Sequence, residues 1–208
     1  MNPDLAVHSG ERTNAGGKPI SNRILLSIPP REFRAIRRYL ELVPLRHHSI
    51  LHEPTRRLLH AYFPNSGLIS MVVATEDGRM VEAGVVGHEG VAGVPVAFDL
   101  PRCPLRQVVQ ISGDALRITA GALLSVLKST PQFQLTLARY GILQGMQVAQ
   151  TAACNRLHDV SQRLARWLLM AQDRVDSGSL PITHDFLATM LGTDRPSVTL
   201  AAGALQKK

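Results

Sequence analysis

The residues best suited to chemistry stand close together in TMLGTDRPSVTL, from Thr189 to Leu200. Arg195 brings a planar guanidinium that can bond the O6 and N7 edge of guanine with two parallel hydrogen bonds. Ser197 and Thr199 follow with hydroxyls that can reach phosphates or bases. If these residues open a helix, its unpaired amides attract phosphate as well. Thr183, Thr193 and Asp194 are of the types that cap helices. A second set is His47, His48, His52 and His60. His48 and His52 would share a face of one strand, where a barrel can hold a metal. No carboxylate stands by to orient them, so surface or turn histidines are the expectation. A third set, Gly93, Arg102 and Arg106, could form an anion site. Cys103 and Cys154 lack metal-type spacing and are expected as free thiols; no cofactor is expected, although one histidine could still serve haem as an axial ligand. With no nucleophile–base pair and no phosphate loop, catalysis is not expected.

These residues need elements to hold them. The composition, 45% hydrophobic and 19% charged over 208 residues, suits one large or two small water-soluble domains. No apolar run is long enough for a membrane span, and the start has no secretory core, so a cytoplasmic protein is expected. The formal charge of +7 favours polyanionic partners. Residues 156–208, however, hold 7 basic side chains against 5 acidic ones, so charge alone is weak support for a DNA contact there.

Along the chain, residues 1–21 read as a flexible polar tail and Asn22 to Leu42 as a helix entered at Pro29-Pro30. Short apolar runs then alternate with turns: HSILH, LLHAYF, GLISMVVA, MVEAGVVG, RQVVQIS and ALRIT. Glu76-Asp77-Gly78 is a hairpin signal between two of them. Many short strands in so little chain predict an antiparallel barrel or roll. Ala120–Ser129 reads as a helix, and Pro131 opens a long one to about Leu157. On it Leu135, Ile142, Met146, Ala149 and Ala153 recur at near-heptad spacing. That seam predicts either a dimer interface or packing on the chain's own barrel; Gly141 and Gly145 suggest another backbone close by. A helix follows from Asp159 to about Val175, with Leu164, Trp167, Leu168 and Ala171 on one face, then the loop 176–179. The last two helices are separated by Gly192, and Pro196 lies in the first turn of the second. Asn155 and His158 are expected to cap or stagger the break before Asp159. Helix, glycine turn, helix is the form of a helix-turn-helix, though any helical hairpin has it too.

The stretch ITHDFLATMLGTDRPSVTLAAGAL resembles the helix-turn-helix of the Crp/Fnr family of bacterial transcription regulators. QTAACNRLHDVSQRLARWLLM is similar to the end of that family's dimerisation helix and the helix after it. GLISMVV and AGVVGHEGVAG resemble parts of its cyclic-nucleotide-binding-like roll. The resemblance implies an α+β chain: an antiparallel, jelly-roll-type β-roll over residues 22–130, a dimerisation helix over 131–157, and a helix-turn-helix domain over 158–208 of the winged-helix type. The wing that usually follows is not in the sequence given. It also implies a homodimer bound to a palindromic operator on double-stranded DNA, with RNA polymerase as a further candidate partner. Arg195 then matches a guanine-contacting arginine, with Ser197 and Thr199 beside it. Pro196 and Leu200 stand where members have a cytosine-reading glutamate and a second arginine, so a different base preference is expected. In the roll, Gly93 matches the family's glycine, but Val94 replaces the glutamate and Leu105-Arg106 the Arg-Ser pair. Loss of the cyclic-nucleotide contacts is therefore expected. Two other readings stay open: a metal-binding cupin-like enzyme, and a shortened dimerising sensor that never touches DNA.

Overall fold

The computed structural model describes residues 12–76, 78–175 and 178–207. Two antiparallel sheets face each other. The three-stranded sheet has the order β1 (Glu41–Leu45), β7 (Gly113–Thr119), β3 (His60–Pro64), and the four-stranded sheet β2 (Ile50–His52), β6 (Arg106–Ile111), β4 (Leu68–Ala74), β5 (Met80–Val86). Inward residues such as Leu45, Ile69, Val86 and Val109 close the roll. Thr75 N bonds Arg79 O at 2.9 Å across the β4–β5 hairpin, with Gly78 in the left-handed region; Asp77 lies outside the described residues.

The helix expected from Asn22 to Leu42 is two helices and the start of a strand. α1 (Arg23–Ser27) is capped by Asn22, and α2 (Pro30–Arg37) begins at the second proline. A residue before proline avoids the helical region, which breaks the run at Ile28-Pro29. Glu41 and Leu42 instead pair with Arg117 and Leu116, and Pro44 is tolerated because β1 is an edge strand. The expected tail is also corrected. From residue 12 it is held on the body: the buried Arg12 guanidinium donates to the carbonyls of Leu25 and Ile28, capping the end of α1, and Ile20 is fully buried. Residues 1–11 lie outside the described residues.

α3 (Ala120–Leu127) follows β7 and is capped by Thr119. α4 (Pro131–Leu157) runs past the roll. Its first turn has no cap from Thr130; the Glu32 carboxylate of α2 accepts from the amides of Gln132 and Phe133 at 3.2 and 2.7 Å. That places an acid at the positive end of the helix. Phe133, Leu137 and Cys154 are buried on one side of α4, while Leu135, Ile142, Met146, Ala149 and Ala153 are exposed on the other. Gly141 corrects its expected role: a Cβ there would meet Val94 of the chain's own roll. Next to Gly145 there is open space.

α5 (Val160–Val175) opens with a reciprocal cap, Asp159 Oδ1 accepting from Gln162 N and Gln162 Oε1 from Asp159 N. α6 (His184–Leu191) and α7 (Arg195–Gln206) pack on α5. A second core joins Leu164, Trp167, Leu187, Val198 and Ala201 of these helices to Leu68, Val85 and Ile111 of the four-stranded sheet. Two of the residues in the loop expected at 176–179 lie outside the described residues.

Candidate nucleic-acid interface

The geometry of α6 and α7 follows from their caps. Thr183 Oγ1 accepts from Phe186 N at 3.2 Å, and Asp185 sits in the first turn. Gly192 ends α6 with φ of 60°, the left-handed conformation that glycine adopts without penalty. Thr193 N then returns to Ala188 O at 2.9 Å, so Thr193 belongs to the turn and does not cap the next helix. Asp194 caps α7 with both oxygens, accepting from Ser197 N at 2.8 Å and Ser197 Oγ at 2.9 Å. These bonds hold the Asp194 carboxyl below its ordinary pKa. Ser197 is thus committed to the cap. Val198 and Ala201 turn into the core and fix which side of α7 is outward.

Arg195, Pro196, Thr199 and Leu200 are exposed on that outward side. The Arg195 guanidinium lies 3.5 Å from Asp185, with side chains 65% and 68% exposed. An exposed pair of this kind is worth about 0–1 kcal/mol, so the arginine is easily released to another acceptor. Thr199 Oγ1 donates to Arg195 O and lies 3.0 Å from His184 Nδ1. His184 and Asp185 were missed by the sequence reading. Their only signal is their place in the first turn of α6, and spacing does not tell which of those residues meets α7. Arrayed this way, α7 offers a guanidinium and a hydroxyl along one outward edge.

The helix pair does not stand apart from the roll. Arg163 donates to Leu191 O at 2.9 Å and closes the end of α6. Arg174 pairs with Glu89 at 2.8 Å, and His88 Nδ1 contacts Arg174 O. Trp167 Nε1 donates to Glu82 at 2.7 Å, and Ser70 Oγ contacts the other oxygen of the same carboxylate. Burial is the main reason that the Glu82 carboxyl is pushed up to about 7. Trp167 in turn meets Phe186 edge-on.

In the roll, two of the expected anion residues, Gly93 and Arg106, are held by structural contacts. Gly93 has φ of 93°, and a Cβ there would lie 2.9 Å from His60 O. Val94 faces Gly141 of α4. Arg106 is engaged by Glu53 at 3.0 Å, and Arg102 is exposed in the loop before β6. His48 sits in a turn with φ of 61° and is exposed, whereas His52 is buried between Gln107 and His60 O, where desolvation lowers its pKa. The shared strand face expected for the two histidines does not exist. Among the described residues no group of three His, Cys, Asp or Glu side chains could hold a metal. An open cleft of about 370 Å³ is lined by Ile50, Glu53, Arg56, Arg57, Leu59 and His60. His158 closes α4, its amide bonding Cys154 O at 3.0 Å. Among the described residues no helix is long and apolar enough to cross a membrane.

Residues 162–208 match the Crp-like helix-turn-helix domain family. Comparison with curated proteins gives no match. Among solved structures, the fold is similar to that of FixK2 from Bradyrhizobium japonicum (TM-score 0.71, 15% identity, 81% of this chain and 85% of that one). It is also similar to the c-di-GMP-responsive global regulator CLP of Xanthomonas campestris (0.69, 15%, 86% and 92%). A transcriptional regulator of the CRP/FNR family from Thermus thermophilus gives 0.59 at 19% identity over 80% and 86%. Residues 162–208 therefore form a Crp-like helix-turn-helix domain, joined to a β-roll and long helix in the fold seen in Crp/Fnr regulators.

Proposed function

We propose that the protein is a dimeric, cytoplasmic transcription regulator that places α7 in the major groove of a palindromic operator. The observation that carries this is the exposed Arg195 at the start of the second helix of the matched domain, held only by a weak pair with Asp185. A helix entering the groove by its N-terminus brings such a residue to base edges. The apolar ridge Leu135, Ile142, Met146, Ala149 and Ala153 supports pairing of two copies along α4, because among the described residues nothing covers it. Two-fold pairing in turn favours two half-sites.

The signal is assigned as something other than a cyclic nucleotide. Val94 stands against α4 where a ribose acceptor is needed, and Arg106 is already paired with Glu53. Cyclic AMP is expected to leave the melting temperature unchanged, since a ligand stabilises only the state it binds. A saturable rise would overturn that assignment.

The test of DNA recognition is selection of bound duplexes from a random pool, followed by titration of the winning site. Arg195→Ala is expected to lose about 1–3 kcal/mol and to relax one base position per half-site. Equal binding by parent and variant would refute it.

A further inference from the structure

The outward side of α7 carries two ridges of opposite character. Arg195 and Thr199, one turn apart, form a polar ridge; Pro196 and Leu200, also one turn apart, form an apolar ridge beside it. Leu200 is 76% exposed, the most exposed large apolar side chain of the helix pair, and it has no apolar cover from α5 or α6. Asp194, the carboxylate at the start of α7, is held by the cap on Ser197, and Asp185, released when Arg195 turns to guanine, stands on α6 beside the polar ridge and not on the apolar one. The ridge next to the arginine therefore has no acceptor for the amino group of cytosine. What it can recognise in a major groove is a methyl group, which among the four bases belongs to thymine.

We infer that Leu200, flanked by Pro196, is a specificity-determining residue that selects a thymine through its C5 methyl, a short step from the guanine bonded by Arg195. Five residues of helix rise span about 7.5 Å, or about two base-pair steps of 3.4 Å, which sets the spacing between the two bases. The inference rests on the DNA recognition proposed above, and it adds a base identity that the arginine cannot supply. Removing the thymine methyl is expected to weaken binding about 3–5-fold per half-site, the loss of one buried carbon group.

The experiment uses the full chain and the selected duplex, with uracil replacing thymine at one position at a time. Fluorescence anisotropy reads the affinity. One thymine per half-site, about two steps from the guanine, should lose affinity as uracil, and Leu200→Ala should abolish the thymine–uracil difference there while keeping the preference for guanine. The melting temperature of Leu200→Ala should match the parent, because the side chain is exposed. Sensitivity to the methyl that survives in Leu200→Ala would assign it to another residue and overturn the inference. So would a site that requires guanine yet accepts uracil at every thymine. Failure of the chain to bind any selected duplex removes DNA recognition itself, an outcome distinct from the other two.

Discussion

Glu82 shows how one side chain can join the roll to the helices that follow it. It lies in β5, is buried, and bonds Trp167 of α5 and Ser70 of β4. A carboxyl whose folded pKa lies above its unfolded value binds its proton more tightly in the native state. Its contribution is full below about 4.5, the ordinary value, and is lost as pH rises through about 7. The difference amounts to about 3 kcal/mol. Glu82→Gln keeps an acceptor for Trp167 and a donor for Ser70 without the charge. In urea titrations between pH 4.5 and 8, the variant should gain stability relative to the parent by up to that amount as pH rises. Parallel pH profiles would remove Glu82 as the cause. His52, whose pKa is lowered, destabilises both proteins as pH falls and cancels in the comparison. Arg195 was legible in the sequence because the glycine turn and proline fix where α7 starts. Glu82 was not, because an acid in a strand reads as solvent-facing until a helix from elsewhere covers it.

At the scale of elements, α4 is seated on the roll by contacts that small residues permit. Tyr140 is partly buried, its phenol raised in pKa chiefly by desolvation, and a Cβ on Gly90 would overlap its hydroxyl. Gly90→Ala is expected to cost about 1–3 kcal/mol in urea denaturation through overpacking. With Tyr140→Ala added, the combined loss should fall short of the sum of the two single losses. Strict additivity would show that the two residues do not clash. The bounds of α4 could be read from sequence, since Pro131 opens the helix and the pattern breaks at His158. The helix expected over Asn22–Leu42 failed because β1 exists only through its pairing with β7, more than seventy residues away. Gly141 was misread for a related reason: a glycine announces a close approach without naming what approaches, and here it is Val94 of the chain's own roll.

At the scale of the whole molecule, one core runs from the four-stranded sheet into α5–α7, so the helix-turn-helix moves with the roll unless that core opens. The outward ridge of α4 is left apolar and uncovered in this arrangement, and it is assigned to a second copy of the chain. Ile142 and Met146 are 61% and 63% exposed on α4. Ile142→Glu with Met146→Glu should give a monomer by sedimentation velocity. Its secondary structure should be unchanged and its affinity for a two-half-site duplex sharply lower. A variant that sediments as the parent does would move the interface elsewhere.

The sequence by itself determined the element types, the strand-rich middle, the length of α4, the turn at Gly192 and the arginine that opens α7. All of these follow from local rules: periodicity, capping and the backbone freedom of glycine and proline. Only the tertiary structure decided that residue 12 onward is bound to the body, that Arg106 meets Glu53, that His48 and His52 are separate, and that Glu82 is buried under Trp167. Each of these depends on which distant surfaces meet, and burial and charge pairing across such surfaces leave no mark on the order of neighbouring residues.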